Sequence, residues 1–374
     1  MSSTKVYFQL WIIFYFHFHA QPAISFHLQL PDIRTFRSCN IDKIYQLGAS
    51  FSDTGNRVVE DPMIASSRLP YGESTFLGPT GRYSDGLLVI DYIALAAGLP
   101  LLNPYLKDDA NFSHGVNFAV GGATALPANN FRVNGTNSSL GVQLEWMSDH
   151  FASQRNTDMH SSPRSLNNAL FLVGEIGRND YYFASIEGKT IEEARLMVPQ
   201  VAEIIKNAVR RVVDFGAAQV IVPGVFPLGC IPSFQLTDFK SNDESGEDQC
   251  ARELNDFTEF HNEYLQQTLI ALQEENPHTT IVYADYYNAF KWLLQNAPNL
   301  GFDAASELKG CCGNVGDSLI NGCGSSNVRV CSNPDRYISW DGVHFTQRAH
   351  SVLATLVAAD LVQKLNCDVQ VEDY

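Results

Sequence analysis

A serine, an aspartate and a histidine in this chain have the types and settings that nucleophilic catalysis needs. Ser50 follows the apolar run 44–47 and a glycine, which predicts a strand that ends just before the serine. Far along the chain, Asp341 and His344 stand three residues apart. A serine hydroxyl is a weak nucleophile at neutral pH and needs a base to accept its proton. We therefore expect His344 to be that base and Asp341 to orient and stabilise the imidazole.

An acyl-transfer site also needs hydrogen-bond donors for the oxyanion that develops on the substrate. The candidates are the backbone N–H groups of Ser50 and Gly122 and the side-chain amide of Asn179. Gly122 is the second residue of a Gly–Gly pair, which is also typical of a tight turn with no function. Asn179 follows a buried apolar run, where asparagine often caps the next helix. Spacing alone leaves these alternatives open.

Strand-length apolar runs alternate with long helical patterns along the chain. The alternation favours a parallel sheet covered by helices on both faces, and it would bring Ser50, Gly122, Asn179 and the Asp341–His344 loop to one edge of that sheet. No repeat or linker divides the chain, so we expect one domain over residues 26–374. The patterns predict strands over 44–47, 169–173, 219–222 and 280–284, and helices over 85–98, 191–215, 252–275 and 346–365.

Composition and charge exclude some partners. The net charge of −16 at pH 7 argues against nucleic acid, because phosphate binding needs a basic face. With 45% hydrophobic residues the chain can bury a sizeable core. The apolar run 6–18 is too short for a transmembrane helix, His17 interrupts it and His19 follows it, so no stable membrane insertion is expected.

The N-terminus instead predicts export. Lys5 precedes the apolar run 6–18, and the small residues Ala23 and Ser25 offer a cleavage site, which is typical of a secretory signal peptide over residues 1–25. The mature protein is then expected to be secreted to the extracellular space or delivered to the vacuole. Three glycosylation sequons agree with that route; they begin at Asn111, Asn134 and Asn137.

Eight cysteines fit an oxidising compartment. A zinc site is the alternative, but no pair of CxxC motifs exists and the adjacent Cys311 and Cys312 are poorly spaced as ligands. We expect disulfides, and no metal. Those among Cys311, Cys312, Cys323 and Cys331 would constrain the loop that precedes the Asp341–His344 segment.

Four motifs together resemble the conserved blocks of the GDSL family of SGNH hydrolases, in family order from about residue 43 to the C-terminus. Other stretches are similar to plant members, in the group that contains sinapine esterase and acetylajmalan esterase. The resemblance implies a flavodoxin-like three-layer α/β/α sandwich, no cofactor, Ser50 as nucleophile, Gly122 and Asn179 in the oxyanion hole, and Asp341 with His344 completing the triad. The motifs lie at 48–56, 117–123, 177–181 and 340–344.

One residue departs from the family pattern. The first block of the family begins Gly-Asp-Ser, and here Ala49 stands between Gly48 and Ser50. That position is not the triad acid, so the proton-transfer residues are intact. Loss of the carboxylate could loosen the oxyanion hole, shift specificity or slow the reaction with water.

The leading functional hypothesis is a secreted serine esterase that cleaves an acetyl or aromatic acyl ester of a plant metabolite. The alternative is an acyltransferase that uses the same acyl-enzyme, which Ala49 makes more plausible. A catalytically inactive binding protein would predict damage to Ser50, Asp341 or His344, and none is damaged. The expected partner is a small-molecule ester, and the sequence leaves the oligomeric state open.

Overall fold

The computed structural model describes residues 30–157, 166–237, 239, 250–303, 309–313, 322–325 and 328–367. The signal peptide predicted over residues 1–25 lies outside the described residues. Within them, one sheet and the helices that cover it form a continuous apolar core.

The sheet is parallel throughout, with strand order β2-β1-β3-β4-β5 in the described part of the chain. Every residue of β3 is buried, as expected for a strand with helices on both sides. The four predicted strands are confirmed to within one residue at each end. The sequence did not single out β2, because three residues carry too short a pattern to stand out. The strands are β1 (Lys43–Leu47), β2 (Gly115–Asn117), β3 (Ala169–Val173), β4 (Gln219–Pro223) and β5 (Thr280–Ala284).

The helices form two packed groups, which together with the sheet make three layers. Helices α3, α4 and α6 each pack against α5, and α2 and α7 each pack against α8 in a second group. This arrangement and the strand order confirm the predicted flavodoxin-like α/β/α sandwich. No helix within the described ranges is long and apolar enough to cross a bilayer. The helices are α1 (Asn56–Glu60), α2 (Val89–Ala96), α3 (Leu140–Thr157), α4 (Arg178–Ile186), α5 (Ile191–Asp214), α6 (Arg252–Glu275), α7 (Tyr286–Asn296) and α8 (Gln347–Lys364).

The helix predicted over 85–98 is shorter than expected. It begins at Val89, because the Asp91 carboxylate accepts a hydrogen bond from the Leu88 backbone N–H and so caps the first turn. Asp85 is used elsewhere: its carboxylate accepts a hydrogen bond from the backbone N–H of Gln347, 2.7 Å away, at the start of α8. The predicted start at residue 85 was therefore wrong, and this acidic residue links two segments instead of opening a helix.

The eight cysteines form four disulfides, which confirms the prediction of disulfides. Two of them lie directly before the Asp341–His344 segment. Next to these bridges, the backbone N–H of Cys311 donates to Ser339 O and that of Cys312 donates to Trp340 O, at 3.0 and 2.7 Å. The bridged loop therefore holds the backbone that leads into the predicted acid and base. The pairs are Cys39–Cys367, Cys230–Cys250, Cys311–Cys331 and Cys312–Cys323.

Candidate active site

Ser50 lies three residues beyond the end of β1 and is 3% exposed. The loop that follows it is held by Asp53, whose carboxylate accepts hydrogen bonds from four backbone N–H groups between 2.7 and 3.0 Å. Burial raises the pKa of Asp53 to about 6, and these amides act in the opposite direction. The Asp53 carboxylate therefore fixes the loop at the carboxyl end of β1. The donors are Gly55, Asn56, Arg57 and Gly121.

The structure brings the three predicted triad residues into one hydrogen-bonded chain. His344 Nε2 lies 2.7 Å from Ser50 Oγ, and His344 Nδ1 lies 2.8 Å from Asp341 Oδ2. In a neutral imidazole the Nδ1–H donates to the carboxylate, which leaves Nε2 to accept the serine proton. All three side chains are buried. Their geometry fits nucleophilic catalysis, and the catalytic role of each stays a prediction.

A tight backbone turn places Asp341 and His344 side by side. The backbone N–H of Trp340 donates to His344 O over 2.8 Å, and Gly342 at the turn has φ +84°. Asp341 Oδ1 accepts the backbone N–H groups of Val343 and His344 at 2.9 and 2.7 Å. The carboxylate is therefore fixed by its own turn.

Tyr71 was not predicted from the sequence to belong to this site. Its hydroxyl donates to Asp341 Oδ2 over 2.9 Å, on the oxygen atom that faces His344. Burial by itself would raise the pKa of Asp341, but His344 and the two backbone amides outweigh burial and hold that pKa below its usual value. The aspartate is thus kept as a carboxylate beside the imidazole.

Gly122 and Asn179, the other two oxyanion candidates, follow β2 and β3, the strands on either side of β1. Gly122 follows β2 and has φ +85°, and a Cβ there would meet Gly135 Cα at 2.8 Å, so the backbone geometry requires glycine. Asn179 lies inside α4, whose cap residue is Gly177, so the capping alternative for Asn179 is wrong. The Asn179 amide donates one hydrogen to Ala123 O over 2.8 Å and keeps the second. Gly122 and Asn179 both line the cavity that contains Ser50.

That cavity has a volume of about 310 Å³, which is in the range of small-molecule sites. Its wall is mainly aromatic and aliphatic, with the polar groups of the triad at one side. The apolar lining includes Ile64, Tyr83, Tyr182, Phe183, Ile186 and Val343. Such a wall favours an apolar or aromatic group on at least one side of the bond that is cleaved.

Two buried residues near Ser50, an arginine and a glutamate, were also not predicted from the sequence. The Arg178 guanidinium lines the cavity, and its Nη2 donates to Ser50 Oγ over 3.3 Å. Glu175, buried nearby, accepts no side-chain hydrogen bond from any described residue. Burial raises the pKa of Glu175 to about 7 although the Arg178 charge acts against that rise. Neither residue could be recognised locally, since the third sequence block had drawn attention only to Asn179.

Ala49, the residue that departs from the family pattern, is 2% exposed and packs in the apolar core. Its backbone N–H donates to Glu175 O over 3.2 Å. A backbone hydrogen bond at Ala49 therefore joins the segment that precedes Ser50 to the segment that precedes Arg178.

The three predicted glycosylation sites are exposed, as attachment requires. Asn134 also lines the cavity, next to Val133 and Gly135. Asn111 and Asn137 are not among the cavity residues. Glycosylation at each stays a prediction.

A parallel α/β/α sandwich that carries a hydrogen-bonded serine, histidine and aspartate at its strand ends has the architecture of a serine-type ester hydrolase. The sequence model of the family described as GDSL-like lipase/acylhydrolase matches residues 44–357. The chain belongs to this family, and it is a carboxylic ester hydrolase.

Curated relatives are similar over most of their length. The chain is 45% identical to acetylajmalan esterase 1 of Rauvolfia serpentina over 341 residues, which cover 88% of this chain and 89% of the relative. It is 43% identical to acetylajmalan esterase 2 of the same plant over 343 residues, 88% and 92% of the two chains. A GDSL esterase/lipase of Arabidopsis thaliana is 38% identical over 368 residues, 89% and 90% of the two chains. These relatives confirm the resemblance to plant GDSL esterases.

Proposed function

We propose that this protein hydrolyses an ester of a small plant metabolite through an acyl-enzyme on Ser50. The observation that carries the proposal is the 2.7 Å contact between His344 Nε2 and Ser50 Oγ, backed by Asp341 on the other ring nitrogen. Both contacts lie within the distance that general-base catalysis requires. The cavity beside Ser50 provides room for the ester.

In the first half-reaction, Ser50 Oγ attacks the ester carbonyl carbon while its proton passes to His344 Nε2. The tetrahedral intermediate then expels the alcohol, which takes that proton from His344. In the second half-reaction, water attacks the acyl-enzyme and gives a proton to His344. Collapse of the second intermediate breaks the bond to Ser50 Oγ, returns the proton to Ser50 and releases the carboxylic acid.

The charge that develops on the carbonyl oxygen would be stabilised by three donors, the N–H groups of Ser50 and Gly122 and the second amide hydrogen of Asn179. Among the described residues, no hydrogen bond occupies the Ser50 or Gly122 N–H. Both donors are thus available to a substrate. Positive φ at Gly122 fixes the direction of the chain at that point.

The substrate is proposed to carry an acetyl or an aromatic acyl group. The apolar cavity wall and the identity to two acetylajmalan esterases support this class. We further propose that residues 1–25 direct the protein out of the cytosol and that residues 26–374 are the mature single domain. The four disulfides and the three exposed sequons are compatible with secretion or vacuolar delivery.

Ala49 favours a second candidate, an acyltransferase in which an acceptor alcohol replaces water in the second half-reaction. A changed residue next to the nucleophile can change how the acyl-enzyme reacts without affecting its formation. The hydrolase remains the leading proposal, since the similar curated relatives are esterases.

The test is to capture the acyl-enzyme. Rapid quenching with 4-nitrophenyl acetate, followed by peptide mass spectrometry, should find the acetyl group on the peptide that contains Ser50. Ser50→Ala should remove the adduct and lower kcat on the order of a thousandfold or more, because only binding and the oxyanion donors remain. Near-normal turnover by a folded Ser50→Ala protein would reject the proposal.

A further inference from the structure

Arg178 occupies an unusual place for a permanent positive charge. It is the first residue of α4, it is 3% exposed, and it lines the substrate cavity. The guanidinium carbon lies 4.8 Å from the centre of the Phe51 ring, which supports its flat face. Its edge is directed at the reaction centre, since Nη2 donates to Ser50 Oγ over 3.3 Å.

The guanidinium has unused donor capacity. Its Nε–H donates to no acceptor among the described residues although the atom is buried. The Glu175 carboxyl group, when ionised, lowers the electrostatic cost of the buried charge, but its oxygens make no hydrogen bond with a described residue either. A buried cation is stable only when its donors find acceptors. Arg178 thus lacks part of the acceptor set that a buried guanidinium requires.

The second arginine of the cavity provides the comparison. Arg57 also lines it, but its guanidinium contacts Glu60 and Asp61 at 3.6 and 3.2 Å. The charge of Arg57 is therefore neutralised within the protein by exposed or half-buried carboxylates. Arg178 has no ion pair of that kind in the described part of the chain, so its charge remains for a ligand.

We infer that Arg178 forms a carboxylate-binding subsite next to the nucleophile, and that the preferred ester carries a carboxylate close to the bond that is cleaved. A carboxylate presents two acceptor oxygens in the geometry that a guanidinium edge matches. Arg178 Nη2 lies 3.3 Å from Ser50 Oγ. With a carboxylate oxygen about 2.8 Å from the guanidinium and the ester carbonyl carbon against Ser50 Oγ, roughly two to four bonds separate the carboxylate carbon from the ester carbon. The inference rests on the proposed function, because it names the substrate class of the same site.

Two kinds of ester satisfy this requirement. In one, the carboxylate belongs to the acyl group, as in a half-ester of a dicarboxylic acid. In the other, it belongs to the alcohol, as in an acylated hydroxy acid. Both kinds of ester carry a carboxylate. Charged and neutral esters with the charge on the acyl side or on the alcohol side distinguish between them.

Two other roles for Arg178 lead to different results. A guanidinium that only stabilised the oxyanion, or only polarised Ser50, would act on every ester equally. A guanidinium that only paired with Glu175 would affect folding and would not distinguish between esters. Discrimination by substrate charge is therefore the decisive measurement.

The experiment measures kcat/KM for matched charged and neutral esters. The acyl-side pair is 4-nitrophenyl monosuccinate and 4-nitrophenyl pentanoate, and the alcohol-side pair is O-acetylmandelate and its methyl ester. For one of the two pairs, the wild-type protein should have a higher kcat/KM for the charged ester than for the neutral one. In Arg178→Gln, the ratio of charged to neutral kcat/KM should fall about ten- to a hundredfold, mainly through KM, because a charge-assisted bidentate contact is lost.

Arg178→Lys serves as the matched variant, since it keeps the positive charge and loses the planar, bidentate guanidinium group. It should retain part of the preference for the charged ester, and it keeps the test open if Arg178→Gln does not fold. A ratio that is unchanged in both variants, or equal loss on charged and neutral esters, would overturn the subsite. Wild-type hydrolysis of 4-nitrophenyl pentanoate that needs Ser50 but shows no charge preference would reject the subsite alone. No hydrolysis of any of the four esters would instead reject the proposed function.

Discussion

The hydroxyl of Tyr71 donates a hydrogen bond to Asp341 Oδ2 over 2.9 Å, and the same oxygen lies 2.8 Å from His344 Nδ1. The catalytic carboxylate of the proposed triad is thus held from two directions, by the imidazole and by a phenol from a loop 270 residues earlier. Tyr71 is itself fixed by ring contacts with Tyr83 and Trp340, so its hydroxyl has little freedom to leave. We assign Tyr71 the role of positioning Asp341.

Tyr71→Phe should therefore weaken catalysis without abolishing it. A hydrogen bond to a buried carboxylate contributes about 1.5 to 3 kcal/mol, and Asp341 keeps three other donors, so kcat should fall by about tenfold. Steady-state kinetics with 4-nitrophenyl acetate measure the change, and KM should stay close to the wild-type value because the variant keeps the ring with which Tyr71 lines the cavity.

Tyr287→Phe is the matched control. It removes a hydroxyl that donates to Glu259 over 2.6 Å, and Tyr287 is not among the cavity residues. Its kcat should equal that of the wild type. If both tyrosine variants lost activity to the same extent, or if Tyr71→Phe lost none, the positioning role of Tyr71 would be wrong.

Most of the fold could be predicted because its signals are local. Helix α6 was predicted at its observed bounds, and β3 and β5 likewise, since a long amphipathic period or a continuous apolar run specifies such elements. Strand β2 and helices α1, α3, α4 and α7 were not predicted from the sequence. β2 has three residues and α1 five, which is too short for a period to stand out, but α3 spans 18 residues and was missed despite its length. The boundary error at α2 has another cause, a carboxylate that binds a distant backbone group.

The residues of the candidate site also fall into two groups, those that a local motif identifies and those that only the folded structure brings out. Ser50, Asp341 and His344 could be selected because each stands in a short motif with its own chemistry. Tyr71 and Glu175 could not, since their importance arises from contacts across long sequence separations or from burial among charges. Arg178 stands within the third block, yet only the structure reveals that its guanidinium is buried and contacts Ser50.

Glu175 should make stability depend on pH in a direction that is unusual for a carboxylate. Burial holds its folded-state pKa at about 7, against an ordinary value of 4.5. Between these values the folded protein keeps a proton that the unfolded chain has lost, so the free energy of unfolding falls as pH rises. One proton accounts for at most about 1.4 kcal/mol per pH unit. Well below pH 4.5 and well above about pH 7, Glu175 has the same protonation state in the folded and unfolded protein, so it adds nothing to the pH dependence of stability.

Glu175→Gln removes this proton and should flatten the dependence by up to that amount. Urea unfolding of the disulfide-intact proteins at several pH values between about 4.5 and 7 gives the two slopes. Asp53 and Asp180 are also buried carboxylates with raised pKa values, but both are present in the two proteins and cancel in the comparison. Equal slopes for wild type and variant would contradict the raised pKa of Glu175.

A glycan on Asn134 should restrict entry to the cavity. The Asn134 side chain is exposed at the rim, where its amide donates to Ala128 O over 3.3 Å, and it lies beside Val133. In protein from a glycosylating host, Asn134→Gln should raise kcat/KM for a bulky ester severalfold and change it little for 4-nitrophenyl acetate, since only the larger substrate meets the glycan.

Asn111→Gln removes a sequon away from the cavity and should change neither rate. Intact mass spectrometry establishes whether each asparagine is modified. An unmodified Asn134 would contradict the predicted glycosylation, and equal effects on bulky and small esters would contradict restricted entry.

Ala49 stands where the family pattern has an aspartate. Ala49 is buried next to Ser50, and its backbone is joined to Glu175. An aspartate there would place a carboxylate where it can accept hydrogen bonds from loop amides and hold the nucleophile. Such a bond contributes about ten- to a hundredfold in rate if it acts only in the transition state. We expect Ala49→Asp to hydrolyse 4-nitrophenyl acetate faster than the wild type.

The same variant separates the two candidate functions. If the native protein transfers its acyl group to an alcohol, the ratio of transfer to hydrolysis should fall in Ala49→Asp, because faster hydrolysis of the acyl-enzyme competes more strongly with the acceptor. Product partitioning at one fixed alcohol concentration measures the ratio, and Ala49→Asn, with the same shape but no charge, isolates the contribution of the carboxylate. Thermal unfolding shows whether the buried charge destabilises the fold. An unchanged rate and an unchanged ratio in a folded Ala49→Asp protein would show that Ala49 does not control deacylation, and the observation that favours a transferase would be lost.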